Sequence, residues 1–221
     1  MARCLLYYIT DRSQFSGDES ARYSALLAKV AEAAHAQVDY IQLREKDLSA
    51  RQLEALAREV IGVVRESSPS TQVLINSRTD VALAVSADGV HLRADDIAPD
   101  EVRSIVAQVV FTAVGRDLRT DPFLVAASCH EVADVTRAQS ENADFAVFAA
   151  IFGKSGVPGV SPAGIAALRE ACQAKIPVLA LGGITIQNAA ECLSAGAAGI
   201  AGIRLFQDNK IEDVGRAVRA A

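Results

Sequence analysis

The sequence predicts an α/β fold, a single (β/α)8 TIM barrel spanning residues 1–221. Three observations predict it. Short apolar runs alternate with helical stretches along the whole chain, with no composition break that would mark a linker. One pattern returns four times: a helix end, a small or acidic residue, four or five apolar residues, then polar tips. Its copies are residues 38–43 running into Arg44 and Lys46, 87–92 into Arg93, 143–148 on towards Lys154, and 197–203 into Arg204. Finally, Thr10-Asp11-Arg12 follows the first apolar run, where an open doubly wound sheet usually carries a Gly-rich fingerprint. Parallel strands covered by helices are buried on both faces and read as such continuous apolar runs. In a closed barrel their C-terminal ends converge on one face, where polar tips serve chemistry rather than packing.

The elements follow in order. The first strand covers residues 4–9 and a first helix 19–36, with Leu26, Leu27 and Val30 on one face. Strand two is Tyr40–Leu43. Ser49 then caps a helix in which Leu53, Leu56, Val60, Ile61 and Val64 recur at helical spacing. Strand three is Gln72–Asn76, with a helix over 79–86. Strand four is Gly89–Leu92, with a helix over 99–106. Residues 107–122 are the hardest to place: 109–114 reads as a strand, and so does the run that follows, 123–128. The second is taken as strand five because it feeds directly into a helix over 130–139. The first is an extension of the preceding helix or an excursion at the edge. Strand six is 145–148. Residues 153–159 are Gly- and Pro-rich and read as a loop. Ser161-Pro162 starts the next helix with a cap followed by Pro in the first turn. Strand seven is Val178–Leu181, a helix covers 186–195, strand eight is 199–203, and a last helix covers 211–220.

Bulk properties exclude several classes. A net charge of −5 argues against sequence-independent nucleic-acid binding, which needs a basic surface. No apolar stretch reaches the roughly 20 residues that span a bilayer. The apolar start meets Thr10-Asp11-Arg12 too soon for a signal peptide. Cys4, Cys129, Cys172 and Cys192 lack C-x-x-C spacing, so they read as reduced thiols, which places the chain in the cytoplasm.

The polar tips carry the candidate chemistry. Gly182-Gly183 after strand seven, with Ile203 and Arg204 after strand eight, suit a phosphate, because glycine lets backbone N–H groups approach an anion. A tight turn alone is the plainer alternative. Gln42, Arg44 and Lys46 alternate onto one side of an extended chain and offer three donors to a phosphate or carboxylate. Against this, Glu45 or Asp47 could simply pair with the arginine. Asn76 ends strand three and either orients a polar ring or caps a loop. His91 lies inside strand four, where a satisfied core histidine outweighs a catalytic one. Asp95-Asp96 could hold Mg²⁺, yet such pairs more often cap a helix. Ser128 and His130 close strand five. Histidine exchanges protons near neutral pH, so His130 at a barrel rim is the candidate general acid/base, with a helix-start role as the alternative. Cys129 alternates away and packs.

Taken in order, the runs 40–46 (YIQLREK), 74–76 (LIN), 87–92 (ADGVHL), 128–130 (SCH) and 178–184 (VLALGGI) resemble the thiamine phosphate synthase/TenI superfamily over nearly the whole chain. The resemblance implies a small barrel, usually a homodimer, in thiamine biosynthesis, with no nucleic-acid or membrane partner. One branch, the synthases, joins an aminopyrimidine pyrophosphate to a carboxythiazole phosphate with Mg²⁺ as cofactor, losing pyrophosphate and CO₂. The TenI branch aromatises the thiazole phosphate by moving a proton and needs no cofactor.

Carried onto this chain, Gly182, Gly183 and the 202–204 turn would hold the thiazole phosphate. Arg44, Lys46 and Lys154 would meet pyrophosphate, Asn76 the pyrimidine or a phosphate, Asp96 a metal, and His130 the TenI proton. The chain departs from the synthase pattern at four places. Ser77 stands where a second metal carboxylate usually follows the Asn, and the loop 153–156 lacks the paired threonines. Arg93-Ala94 replaces a Gly-Gln, and Arg204 replaces a serine. These departures touch metal and pyrophosphate binding, so the sequence leans to a TenI-like thiazole tautomerase, an isomerase. The synthase, a transferase, is the alternative, and a non-catalytic ligand-binding barrel the third reading.

Overall fold

Eight parallel strands, β1 Leu5–Ile9, β2 Tyr40–Leu43, β3 Gln72–Asn76, β4 Gly89–Leu92, β5 Leu124–Cys129, β6 Phe145–Ala149, β7 Val178–Leu181 and β8 Gly199–Gly202, close into a barrel in sequence order. Closure sets Leu5 of β1 opposite Gly199 of β8 and Tyr8 opposite Gly202. The computed structural model describes residues 3–68, 70–112, 122–153 and 162–220. Around the barrel lie α1 Glu19–His35, α2 Ala50–Ser67, α3 Thr79–Ala84, α4 Pro99–Thr112, α5 Val132–Ser140, α6 Gly164–Ala171, α7 Ala189–Ser194, α8 Arg204–Gln207 and α9 Ile211–Arg219. The (β/α)8 expectation holds.

Local chemistry explains the boundaries. Ser49 caps α2 as expected: its hydroxyl accepts the Gln52 N–H while the Gln52 side chain returns to the Ser49 N–H. Residues 107–112 continue α4, which resolves the ambiguity of that segment in favour of a helix extension; residues 113–121 lie outside the described residues. Strand five is the one chosen from sequence. Two elements had no counterpart there, a short 3-10 turn at Arg12–Gln14 and the four-residue α8. Pro162 precedes α6 by two residues, and Ser161 lies outside the described residues.

The acidic residue of the repeated pattern has a structural task at the barrel end opposite the polar tips. Asp39 Oδ2 accepts the Leu6 N–H at 2.9 Å, Asp88 Oδ2 the Val73 N–H at 2.7 Å, and Asp144 Oδ2 the Val125 N–H at 2.6 Å. Each carboxylate also meets an arginine of a surrounding helix. These are Arg219 of α9 at 3.4 Å, Arg65 of α2 at 3.0 Å and Arg103 of α4 at 2.9 Å. Three even strands are thus stitched to their odd neighbours by charge-assisted bonds to strand-end N–H groups. The fourth copy carries Ala198 in that place.

The barrel interior is packed, with one polar seam. Tyr7 sits at its centre, edge-on to Tyr40 and to Phe145, with Ile9, Leu74, Ala126, Val147, Leu179 and Ala201 around it. Gln42 Nε2 donates to Tyr7 Oη at 3.0 Å, Tyr7 Oη lies 3.0 Å from His91 Nδ1, and His91 Nε2 lies 2.8 Å from Ser128 Oγ. This chain crosses the interior from β2 and β1 to β4 and β5. Both His91 nitrogens have partners, the satisfied core histidine weighed from sequence. Burial, with a further push from the Arg44 charge, lowers its pKa to about 3.

A second polar cluster joins the ends of β1 and β2. Glu45 is buried beneath it and accepts from Thr10 Oγ1 at 2.7 Å, from the Arg12 N–H at 3.1 Å and from Arg12 Nη1 at 3.0 Å. Arg12 also forks onto Asp47 at 2.8 and 2.7 Å and reaches Glu19 at 2.7 Å. Burial raises the Glu45 pKa, while the Thr10 and Arg12 donors pull it back. A buried carboxylate persists only with such partners.

Two expectations follow from these clusters. Glu45→Ala leaves Thr10 and the buried part of Arg12 without their acceptor, and should lower unfolding stability by about 3 kcal/mol, read as a shifted urea midpoint at unchanged slope. His91 binds its proton less tightly folded than unfolded. Its contribution is therefore present above about pH 6.5 and lost as pH falls towards 3. The stability difference between wild type and His91→Asn should shrink by a few kcal/mol across that window; a difference independent of pH would contradict the assignment.

Candidate active site

Every tip residue singled out from sequence and described in the structure lies at the C-terminal ends of the strands or in the loops beyond them. Gln42 is buried at the end of β2. Arg44 lies two residues further on and is anchored by its backbone N–H, which donates to Thr10 Oγ1 at 2.9 Å. Lys46 is exposed. Neither cation forms an ion pair among the described residues, because Arg12 takes both nearby carboxylates. The alternative in which Glu45 or Asp47 neutralises Arg44 therefore does not apply. The Arg44 charge also reaches Asp11, whose pKa is lowered by the Ser13 and Gln14 hydrogen bonds and by that charge, against burial.

Asn76 ends β3 opposite His91 in the ladder, and its Nδ2 donates to Ser77 Oγ at 3.3 Å. Ser77 turns the chain with φ of 59° while its N–H donates to the His91 carbonyl at 2.8 Å. Ser128 is part-buried above His91, and Cys129 packs away from the mouth, as its alternation implied. His130 is exposed just past β5. Its backbone N–H donates to Asp134 at 2.9 Å, and its Nδ1 lies 3.0 Å from the Ala149 carbonyl oxygen. A carbonyl oxygen only accepts, so Nδ1 carries the proton and Nε2 is left as the basic nitrogen.

Across the mouth, Gly182 and Gly183 have φ of 103° and 65°. A Cβ at Gly182 would meet the Ala150 Cβ at 2.8 Å, and one at Gly183 would meet the Phe152 carbonyl oxygen at 2.8 Å. Both glycines are thus required twice over, by backbone conformation and by the close approach of the chain after β6. The Ile151 and Phe152 N–H groups donate to the Leu181 and Gly182 carbonyls at 3.0 Å, which ties the two loops together. Ile203 precedes α8, and Arg204 is its exposed first residue. Among the described residues nothing accepts the N–H groups of Gly183, Ile184, Arg204 or Leu205. Donors at the ends of strands seven and eight, with a short extra helix, are arranged in a cup where barrels of this architecture frequently bind a phosphate.

The donor set does not suit a divalent cation. Asp96 Oδ2 accepts the Arg93 N–H at 2.7 Å, a bond that closes the loop before α4 rather than the helix cap weighed from sequence, and Asp95 pairs with the Arg93 guanidinium. Ser77 offers a hydroxyl where a carboxylate would be needed. Among the described residues no group of three His, Cys, Asp or Glu could hold a metal ion. Magnesium favours carboxylate oxygens in octahedral arrangement, and these residues do not supply them. Lys154 lies outside the described residues.

Sequence reasoning gave no role to Tyr7, Thr10 and Arg12, which shape the mouth from β1, and weighed Glu45 after β2 only as a partner of Arg44. The signal was available: Thr10-Asp11-Arg12 are polar tips on an apolar strand, the pattern used elsewhere.

Comparison with known proteins matches this architecture to one family. Residues 6–206 match the family model described as thiamine monophosphate synthase. The chain is 37% identical over 203 residues to a putative thiamine-phosphate synthase 2 of Aquifex aeolicus, covering 91% of this chain and 96% of that one. It is 34% identical over 222 residues to a thiamine-phosphate synthase of Caldanaerobacter subterraneus, covering 98% and 94%. Among solved structures it resembles a thiamine phosphate pyrophosphorylase from Pyrococcus furiosus with TM-score 0.76 and 26% identity, covering 98% and 94%. The chain belongs to the thiamine monophosphate synthase family, within the thiamine phosphate synthase/TenI superfamily.

Proposed function

We propose that this chain joins an aminopyrimidine pyrophosphate to a carboxythiazole phosphate, releasing pyrophosphate and CO₂, a transferase reaction. The observation that carries the reading is the charge arrangement of the mouth. Among the described residues, Arg44 and Lys46 after β2 form no ion pair, and the N–H groups of the Gly182-Gly183 and α8 turns after β7 and β8 have no acceptor. Two anion sites, separated in the closed order by β1, suit two phosphorylated substrates. A one-substrate isomerase would meet only the thiazole carboxylate with the second site, whereas two cations there match the greater charge of pyrophosphate. The names of the relatives point the same way, and together these move the reading from the tautomerase to the synthase.

In this scheme the thiazole phosphate sits on the cup, which fixes the ring nitrogen over the barrel centre. Arg44 and Lys46 take the pyrophosphate. As the thiazole nitrogen bonds to the pyrimidine methylene carbon, the carbon–oxygen bond to pyrophosphate breaks and its electron pair leaves with the pyrophosphate; the ring carboxylate then departs as CO₂, its carbon–carbon electron pair stays on the ring carbon, and that carbon takes a proton from water. The two cations stabilise that developing charge. Asn76 and Ser128 face the space between. A second reading keeps the tautomerase, and one observation favours it: the Ala149 carbonyl holds His130 with Nε2 free as a base.

The two are separated by assay. With both substrates present, the proposal expects stoichiometric pyrophosphate and thiamine phosphate. Aromatisation of the thiazole phosphate alone, with no pyrophosphate from the pair, would overturn it. Arg44→Ala should lower kcat/KM for the pyrimidine substrate about 10- to 100-fold, the loss of one or two charge-assisted hydrogen bonds. Gly183→Ala should instead raise KM for the thiazole phosphate, because the added Cβ meets the Phe152 carbonyl; steady-state kinetics with each substrate varied in turn checks both.

A further inference from the structure

The barrel repeats itself in quarters. In each quarter a helix ends, one residue takes a positive φ, a buried apolar residue follows, and the next residue leads into an even strand. The positive-φ residues are Gln37, Ser86, Asn142 and Gly196, at 53°, 54°, 62° and 106°. The residue after each returns its N–H to the helix: Val38 to Ala33, Ala87 to Ala82, Ala143 to Ala138 and Ala197 to Cys192, at 2.9 to 3.2 Å. Then come Asp39, Asp88, Asp144 and, in the fourth quarter, Ala198. The N–H of Asp88 donates to the Val73 carbonyl at 2.9 Å, that of Asp144 to Val125 at 2.8 Å, and that of Ala198 to Val178 at 2.8 Å. The fourth quarter therefore has the backbone of the others without their carboxylate.

Two groups that a carboxylate serves elsewhere are kept there. Along a strand the N–H and C=O of one residue point to the same side. The Val178 N–H thus faces Ala198, as the Val73 N–H faces Asp88 and the Val125 N–H faces Asp144. The aspartates accept those two at 2.7 and 2.6 Å. Among the described residues nothing accepts the Val178 N–H, although Val178 is buried. The second group is an arginine. Asp88 takes Arg65 of α2, the helix before β3, and Asp144 takes Arg103 of α4, the helix before β5. The helix before β7 is α6, and Arg169 lies in its last turn, as Arg65 lies in the last turn of α2. Arg169 is exposed and forms no ion pair among the described residues. The end of α6 lies against the turn before Ala198, since a Cβ on Gly196 would stand 3.2 Å from the Cys172 Cβ.

We infer that the Val178 N–H and Arg169 form a site for a small carboxylate taken from solution, at the barrel end opposite the mouth. The anion stands in for the side chain that Asp39, Asp88 and Asp144 supply in the other quarters, and it ties β8 to β7. A carboxylate is the fitting class because it is planar and has two oxygens. Asp88 shows the use of both, with Oδ2 on the Val73 N–H and Oδ1 on Arg65 at 3.0 Å. A formate ion can bridge the Val178 N–H and the Arg169 guanidinium in the same way, through charge-assisted bonds. Chloride has no second atom with which to bridge them. The site takes no part in the coupling reaction proposed above, so it stands or falls independently of it.

Formate is the probe, with chloride at equal ionic strength as the control. Nitrogen-15 NMR of valine-labelled full-length protein follows the Val178 amide, and Val178→Ile assigns its signal. The amide proton should move downfield and saturate with formate, and stay in place with chloride. In Ala198→Asp it should lie downfield without formate and no longer respond. A Val178 signal that formate leaves unmoved, or moves equally in Ala198→Asp, overturns the inference. Thermal unfolding gives the second readout. Formate at ten times its Kd should raise the wild-type Tm by about 3 to 6 °C over chloride. Arg169→Gln should weaken formate about 3- to 10-fold, the loss of one charged partner at an exposed position. An equal rise in wild type, Arg169→Gln and Ala198→Asp is a general salt effect and also overturns the inference. If Ala198→Asp does not fold, Arg169→Gln takes its place in the NMR titration, where the formate midpoint should rise by the same factor; an unchanged midpoint counts against the site.

Discussion

The mouth of this barrel depends on where one arginine goes. Arg12, on the short turn after β1, captures Glu45 and Asp47 and holds Glu45 in the buried seam between β1 and β2. The sequence after β2 alternates in sign, Arg44-Glu45-Lys46-Asp47. Left alone, such a run would neutralise itself, and an exposed run of that kind carries no net attraction for an anion. A carboxylate in a desolvated site must be matched by donors there, and Arg12 with Thr10 supplies them. Among the described residues the two cations at the rim are left without an ion-pair partner. Local composition alone would give a neutral loop; tertiary structure makes it cationic.

That capture also couples loop order to charge. The Arg44 backbone is tied to Thr10 Oγ1, the same hydroxyl that donates to Glu45. Below this, the Tyr7–His91 seam fixes the inner face, and the bonds from Ile151 and Phe152 to the strand-seven end fix the far side. The anion-binding groups are therefore held on strand ends and tied loops. Catalysis of a bond between two charged partners gains most from groups already in place before the substrates arrive. The acidic stitches at the other end, Asp39, Asp88 and Asp144, keep the strand register on which this alignment rests.

Much of this was legible in the sequence, because it follows from period and position. Buried parallel strands announce themselves as short apolar runs, and their polar tips mark the functional face. Gln42, Arg44, Asn76, Ser128, His130 and the glycine pair all stand on that face. What sequence could not supply was partner choice. The contest for Glu45 between Arg44 and Arg12 is decided across 33 residues of chain, and nothing local reveals it. The same holds for His91, whose two partners come from β1 and β5. The four-residue α8 was missed because it is too short for any hydrophobic period. Its lone clue is a polar residue directly after an apolar strand. The lean towards proton transfer weighed the missing carboxylate at Ser77 heavily and left open whether Arg44 pairs with Glu45 or Asp47, since the absence of an ion pair at Arg44 and Lys46 among the described residues is a tertiary fact.

The central claim is that one mouth holds two anions at once, on different strands. Calorimetric titration of pyrophosphate into protein already saturated with thiazole phosphate tests it most directly. The account expects pyrophosphate to bind with an affinity close to that for the free protein, and to lose that affinity in Arg44→Ala while thiazole phosphate binding persists. Displacement of one ligand by the other, with a single shared site, would contradict it.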